Sequence, residues 1–161
     1  MTESTVPFAT TIQVRDSCLC LHTQRAARVL ARRFDAVLRP AGLTNEQYSL
    51  LMSLNRPQPP QMKEVAALLG ADRTTLTAAF KPLVRQGLVD IQPDAEDARV
   101  RRAALTRQGQ KRLAAALPLW TAAHAALEQE HAEVDPARLR RDLTSLSATP
   151  ANAPAPTLCD N

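Results

Sequence analysis

Aromatic side chains are scarce in this chain: one Trp, one Tyr and three Phe among 161 residues. Glycine is scarce too, with four. Strands draw on aromatic and β-branched residues and tight hairpins draw on glycine, so a β-sandwich or barrel lacks its material here. Three cysteines leave one without a partner in any disulfide framework, which points to a reducing compartment. No stretch holds the ~20 apolar residues that a membrane span needs. The opening MTESTVPFATTIQVRD lacks the basic-then-apolar order of a secretion signal. A cytoplasmic protein with no membrane contact is the expectation.

What is present is 45% hydrophobic residues and a helix-forming composition, enough for the core of one domain. After an arm over residues 1–14, Arg15 to Arg39 contain no Gly or Pro. Leu30, Phe34, Val37 and Leu38 recur there at helical spacing before Pro40, predicting one long amphipathic helix. Thr44 with Gln47 has capping-box spacing and opens a helix to about Asn55, with Tyr48, Leu51, Met52 and Leu54 on its apolar side. RPQPPQ ends that helix, and MKEVAALLG reads as a short helix closed by Gly70.

Asp72 then caps DRTTLTAAFKPLVRQG, with Leu76, Phe80, Leu83 and Val84 inward and Gly87 as terminator. Pro82 predicts a kink or one weakened turn. LVDIQ and VRRAAL, joined by PDAEDAR, predict a two-stranded hairpin with an acidic tip. Thr106 opens a long Ala- and Leu-rich helix with a kink at Pro118, and PARLRRDLTSL makes a last helix. Residues 148–161 read as a disordered tail. The fold class is mainly α with a small β-wing.

The charge is concentrated where that hairpin lies. The chain carries 20 basic and 16 acidic residues, yet Arg73 to Arg112 hold nine basic against four acidic side chains. The two short helices have the makings of a helix-turn-helix: Val65, Ala66 and Leu69 inward, Gly70 at the turn, Leu76 anchoring the second helix. That spacing places Arg73, Thr74, Thr75 and Thr77 on the outward, leading part of the second helix, where side chains can enter a major groove. Arg can pair with guanine through two hydrogen bonds, Thr can offer a hydroxyl or a methyl, and Lys81 suits a phosphate. At the hairpin tip Arg99 can enter a minor groove while Asp97 holds its geometry, with Arg101 a second wing cation. Taken singly, each of these features also describes an ordinary helix pair or a solvated charge cluster.

TNEQYSLL, MKEVAALLGADRTTLTAAFKPLVRQGLV and DAEDARVRRAALTRQG, with its D-x-R wing and L-T-x-x-G helix start, together resemble the MarR family over roughly residues 15 to 147. The resemblance implies a homodimer with a winged helix-turn-helix over residues 44–105 of each subunit and dimerisation helices over 15–40 and 106–147. It implies that Arg73 to Lys81 read the groove and that Arg99 is the wing arginine. Its implied partner is duplex DNA with a near-palindromic site. Leu117, Leu119, Trp120 and Leu127 are candidates for the dimer core, or equally for packing within one subunit.

Two routes of control are compatible with this sequence. A small aromatic or anionic ligand could enter a crevice between the dimer helices and the reading lobe, with His22, Arg25 and Trp120 as candidates. Alternatively, CLHTQRAAR resembles the cysteine segment of family members that sense organic hydroperoxides. Cys20 would then be the redox residue, and Cys159 a resolving thiol. Cys18 and Cys20 have the wrong spacing for one metal on a helix, and no cofactor is implied. His22, His124, His131 and the carboxylates form no nucleophile–base–oxyanion set, which argues against an enzyme. A winged-helix module that binds protein is the alternative of another class.

Overall fold

The computed structural model describes residues 5–148; the expected disordered tail and Cys159 lie outside the described residues, apart from Ala148. The order is α1 (Phe8–Ser17), α2 (Leu19–Leu38), a 3₁₀ turn at Arg39–Ala41, α3 (Asn45–Leu54), α4 (Met62–Leu69) and α5 (Arg73–Arg85). Strands β1 (Val89–Pro93) and β2 (Arg101–Leu105), then α6 (Arg107–Glu130) and α7 (Pro136–Ser147), complete it. The strands pair antiparallel with Val89 opposite Leu105 and Pro93 opposite Arg101. The chain is mainly helical with a two-stranded wing, as its composition requires. No helix among the described residues is long and apolar enough to cross a membrane.

The helix ends follow their local chemistry. At α3 both halves of the capping box form: Gln47 N donates to Thr44 Oγ1 at 3.2 Å, and Thr44 N donates to Gln47 Oε1 at 3.1 Å. Gly70 closes α4 and Gly87 follows α5, at φ 62° and 67°, left-handed values that cost other residues about 1–2 kcal/mol. Pro82 and Pro118 lie inside α5 and α6 without ending either. Phe80 and Leu83, flanking Pro82, are almost fully buried, and their packing holds the turn that lost a backbone bond.

Several expectations are corrected. The first helix is two: its run begins at Phe8, inside the expected arm, and breaks at Cys18, whose backbone is extended (φ −75°, ψ 104°). The Cys18 thiol then caps α2 by accepting from Leu21 N at 3.4 Å. Met52, Leu69 and Val84, expected inside, are 39%, 37% and 41% exposed. The central helix α3 is wrapped by α2, α4, α5, α6 and β2, so it buries Tyr48, Leu50, Leu51, Ser53 and Leu54 and leaves Glu46 and Met52 outside. Val65 and Leu76 lock α4 and α5 onto it. Leu119, Trp120 and Leu127 pack against this subunit's own core, whereas Leu117 is exposed.

Candidate nucleic-acid interface

The leading end of α5 is fixed by Asp72. Its carboxylate accepts from Thr75 N at 2.8 Å and from Thr75 Oγ1 at 2.6 Å. The Thr75 hydroxyl proton is therefore committed to the cap, so Thr75 positions the helix start, and its exposed methyl is what it can offer a groove. Thr77 Oγ1 donates to Arg73 O at 2.7 Å, which leaves its methyl and one lone pair outward. Arg73, Thr74 and Lys81 are exposed, and their side chains make no hydrogen bond or ion pair among the described residues. Four-residue spacing puts Arg73, Thr77 and Lys81 on one stripe of the helix.

Between α4, α5 and the wing runs a groove of about 570 Å³. Arg73 and Thr77 line it from α5, Arg99 and Arg101 from the wing and Lys63 from α4, over a floor that includes Leu76, Ile91 and Val100. It gathers four cations and no carboxylate. Sequence reasoning missed Lys63, which sits in the first turn of a helix read only for its packing. Lys81 and Thr74 lie outside the lining, farther along α5 and around it.

At the wing tip Asp97 acts on Arg99 through the backbone. Asp97 accepts from Arg99 N at 2.9 Å, so it shapes the backbone and does not pair with the Arg99 guanidinium. The ion pair of the wing is instead Arg102 with Asp94. Asp94 also accepts from Glu96 N at 2.9 Å and Asp97 N at 3.2 Å, an Asx-type turn that the spacing P-D-x-E-D could have signalled. The Arg102 guanidinium beside it, followed by those N–H donors, holds the Asp94 carboxyl below the usual carboxylate range. At Asp72 the Thr75 hydroxyl, then its N–H, does the same, and at the α2–α6 seam Arg33 does so for Glu130.

These three shifts set an acid limit. A depressed folded-state value contributes stability that is complete above the unfolded value, near pH 4, and is lost as pH falls below it. Melting temperature should therefore be flat from pH 7 to 5 and drop below pH 4, and Asp72→Asn should reduce that drop. An unchanged pH profile in the variant would exclude Asp72 as a contributor.

The candidate ligand crevice does not assemble within one subunit. Trp120 stacks on Tyr48 at 5.9 Å and lies 4.7 Å from the His124 ring, with Phe34 beyond. Arg33 already pairs with Glu130 at the end of α6 (Nη2–Oε1 2.7 Å). At 1.5 Å per residue, Arg25 lies about 12 Å and His22 about 17 Å farther along α2. Both are exposed. The residues missed there are Tyr48 and His124. The Tyr48 hydroxyl is buried without a partner, and burial pushes its pKa up. Cys18 is half-buried and Cys20 exposed. Among the described residues no three metal-type side chains gather.

Residues 41–100 match the MarR family model. The HTH-type transcriptional regulator YwoH of Bacillus subtilis (strain 168) is 31% identical over 88 residues, which cover 55% of this chain and 64% of the relative. The transcriptional regulator MosR of M. tuberculosis, solved in complex with DNA, is 42% identical, with 81% of this chain and 94% of that chain covered and a TM-score of 0.73. The repressor CouR bound to a 23-mer DNA duplex is 26% identical, with 84% of this chain and 94% of that chain covered and a TM-score of 0.67. CouR from Rhodococcus jostii RHA1 bound to p-coumaroyl-CoA, at 22% identity and a TM-score of 0.68, shares the fold. With the reading lobe matched by the family model and MosR similar over nearly its whole length, this chain belongs to the MarR family of transcriptional regulators.

Proposed function

We propose that this protein is a sequence-specific regulator that binds duplex DNA as a homodimer, represses, and is released by a small aromatic or anionic ligand. The observation that carries the DNA reading is the groove holding Lys63, Arg73, Arg99 and Arg101 with no acidic lining. Four cations lining one groove without a carboxylate favour a polyanion, and a helix leading edge beside a wing is the arrangement that can read a major groove and the minor groove next to it. MosR and CouR, both solved on DNA, support the same reading.

The dimer reading rests on unpartnered apolar surface. No residue of α1 or α7 is buried, and helices of 10 and 12 residues are marginal alone. Leu19, Leu21 and Val29 of α2 and Leu139, Leu143 and Leu146 of α7 are all exposed, more apolar surface than a monomer ordinarily shows. Residues 15–40 and 106–147 are thus proposed as the dimerisation helices and 44–105 as the reading lobe. Ligand release is supported by the aromatic cluster of Tyr48, Trp120 and His124, in which the Tyr48 hydroxyl is buried without a partner; a rearrangement that uncovers it would give an organic acid both stacking and a hydrogen bond. Such a ligand lowers DNA affinity only by its preference for the non-binding spacing of the two lobes. We read the protein as cytoplasmic and without enzymatic activity.

Selection of bound duplexes from a random library should enrich a near-palindrome with half-site centres about 34 Å apart. Its affinity should fall steeply with salt, by a factor of about 10³ between 50 and 200 mM if six phosphates are contacted. Lack of enrichment together with a shallow salt response would favour the protein-binding module instead.

A further inference from the structure

We propose that Asp94 and Arg102 are positioning residues for DNA reading: their pair, tied to the Pro59 carbonyl, fixes the groove between wing and helix-turn-helix and so aims Arg99. Of the three arginines on this part of the wing, Arg99 and Arg101 face outward and only Arg102 is half-buried. Arg102 reaches two elements at once. Its Nε meets the Asp94 carboxylate on the opposite side of the hairpin, and its Nη1 donates to Pro59 O at 2.7 Å, in the lead-in to α4.

That lead-in is itself joined to the wing. Ala103 N donates to Pro60 O at 3.1 Å, and Gln61 forms a bridge opposite Arg102, so residues 60–61 add a short third edge to the sheet. Asp94 closes the other end: Asp94 N donates to Val100 O at 2.9 Å while its carboxylate gathers the Glu96 and Asp97 amides. The tip that carries Arg99 is thereby held from Asp94, Asp94 is held by Arg102, and Arg102 is held by the loop that starts the helix-turn-helix. A hairpin of five-residue strands has little stiffness of its own, so this strap sets its angle. A planar guanidinium can bridge a carboxylate and a carbonyl at fixed angles, which an ammonium cannot.

The inference rests on the DNA reading, and the test separates the two. Asp94→Asn keeps an oxygen for the turn amides but removes the charge facing Arg102. Arg102→Lys keeps the charge but loses the fork. Both would be measured on the duplex selected by the wild-type homodimer, and on versions with the A·T or G·C content of the minor-groove flanks exchanged. Flank discrimination should fall about tenfold in each variant, while discrimination at the base pairs under Arg73 stays close to wild type and the melting temperature at pH 7 falls only by the small share that one partly exposed ion pair contributes. Without DNA, exchange of the Ala103 amide should quicken on the order of tenfold relative to helix amides. Unchanged flank discrimination, or equal loss at flank and centre, would overturn the proposal, as would unchanged Ala103 exchange. A wild type that selects no duplex would instead remove the DNA reading itself, and this one with it.

Discussion

Gly109→Ala should destabilise the protein by about 3 kcal/mol, a loss of roughly 6–12 °C in melting temperature for a chain of this size. Gly109 lies buried in the first turn of α6 with an ordinary helical backbone, so conformation is not its constraint. Space is: a Cβ there would run into the Leu88 carbonyl oxygen and touch Leu105 Cδ2 at 3.4 Å. Leu88 cannot retreat freely. Its carbonyl accepts from Thr106 N at 3.1 Å, Thr106 Oγ1 donates to Gly87 O at 2.6 Å, and Gly109 N donates to Thr106 Oγ1 at 3.0 Å. These bonds fasten α6 to the root of the wing, and an added methyl opens all of them together. Gly70→Ala is the internal comparison: nothing stands within 4 Å of its Cβ, so it carries only the left-handed backbone cost of about 1–2 kcal/mol. Thermal melts of the two variants decide the point, and equal losses would show that the Leu88 contact is relieved cheaply.

The second large effect concerns binding. Arg73→Ala should weaken operator affinity by about 2–6 kcal/mol, because a two-fold dimer loses two contacts, each worth roughly 1–3 kcal/mol where the guanidinium pairs with a base edge. Arg99→Ala should cost a comparable or smaller amount and act differently. Arg73 stands at the start of α5, so its loss relaxes preference at base pairs inside each half-site. Arg99 stands on the wing across the groove, so its loss relaxes preference at the flanks. Competition binding against single-base operator variants measures both. If both substitutions weaken every sequence uniformly, the two arginines contact phosphates alone.

Much of the fold was legible because its signals are local. Thr44 with Gln47, Asp72 before its apolar stripe, and Gly70 and Gly87 after theirs each act through hydrogen bonds or backbone angles within four residues, and all appear where the sequence places them. The break at Cys18 was not legible, since no Gly or Pro marks it and the cap comes from a thiol, an uncommon acceptor. Inward faces were read less well at helix edges where several neighbours decide the burial, as the exposure of Met52, Leu69 and Val84 shows.

For the site the division is the same. Sequence by itself determined that a basic second helix and a basic hairpin follow one another, with Arg73, Thr74, Thr75, Thr77, Lys81, Arg99 and Arg101 on their outward faces. Only the tertiary structure decided that these converge with Lys63 on one groove, that Thr75 serves the Asp72 cap, and that Arg102 turns inward to Asp94 and Pro59. It also decided that His22 and Arg25 stand apart from Trp120. The reason is separation along the chain. Caps and periodicity are fixed by neighbours a turn away, whereas Arg102 finds its second partner 43 residues back, and nothing in a local pattern records which of three adjacent arginines will meet it.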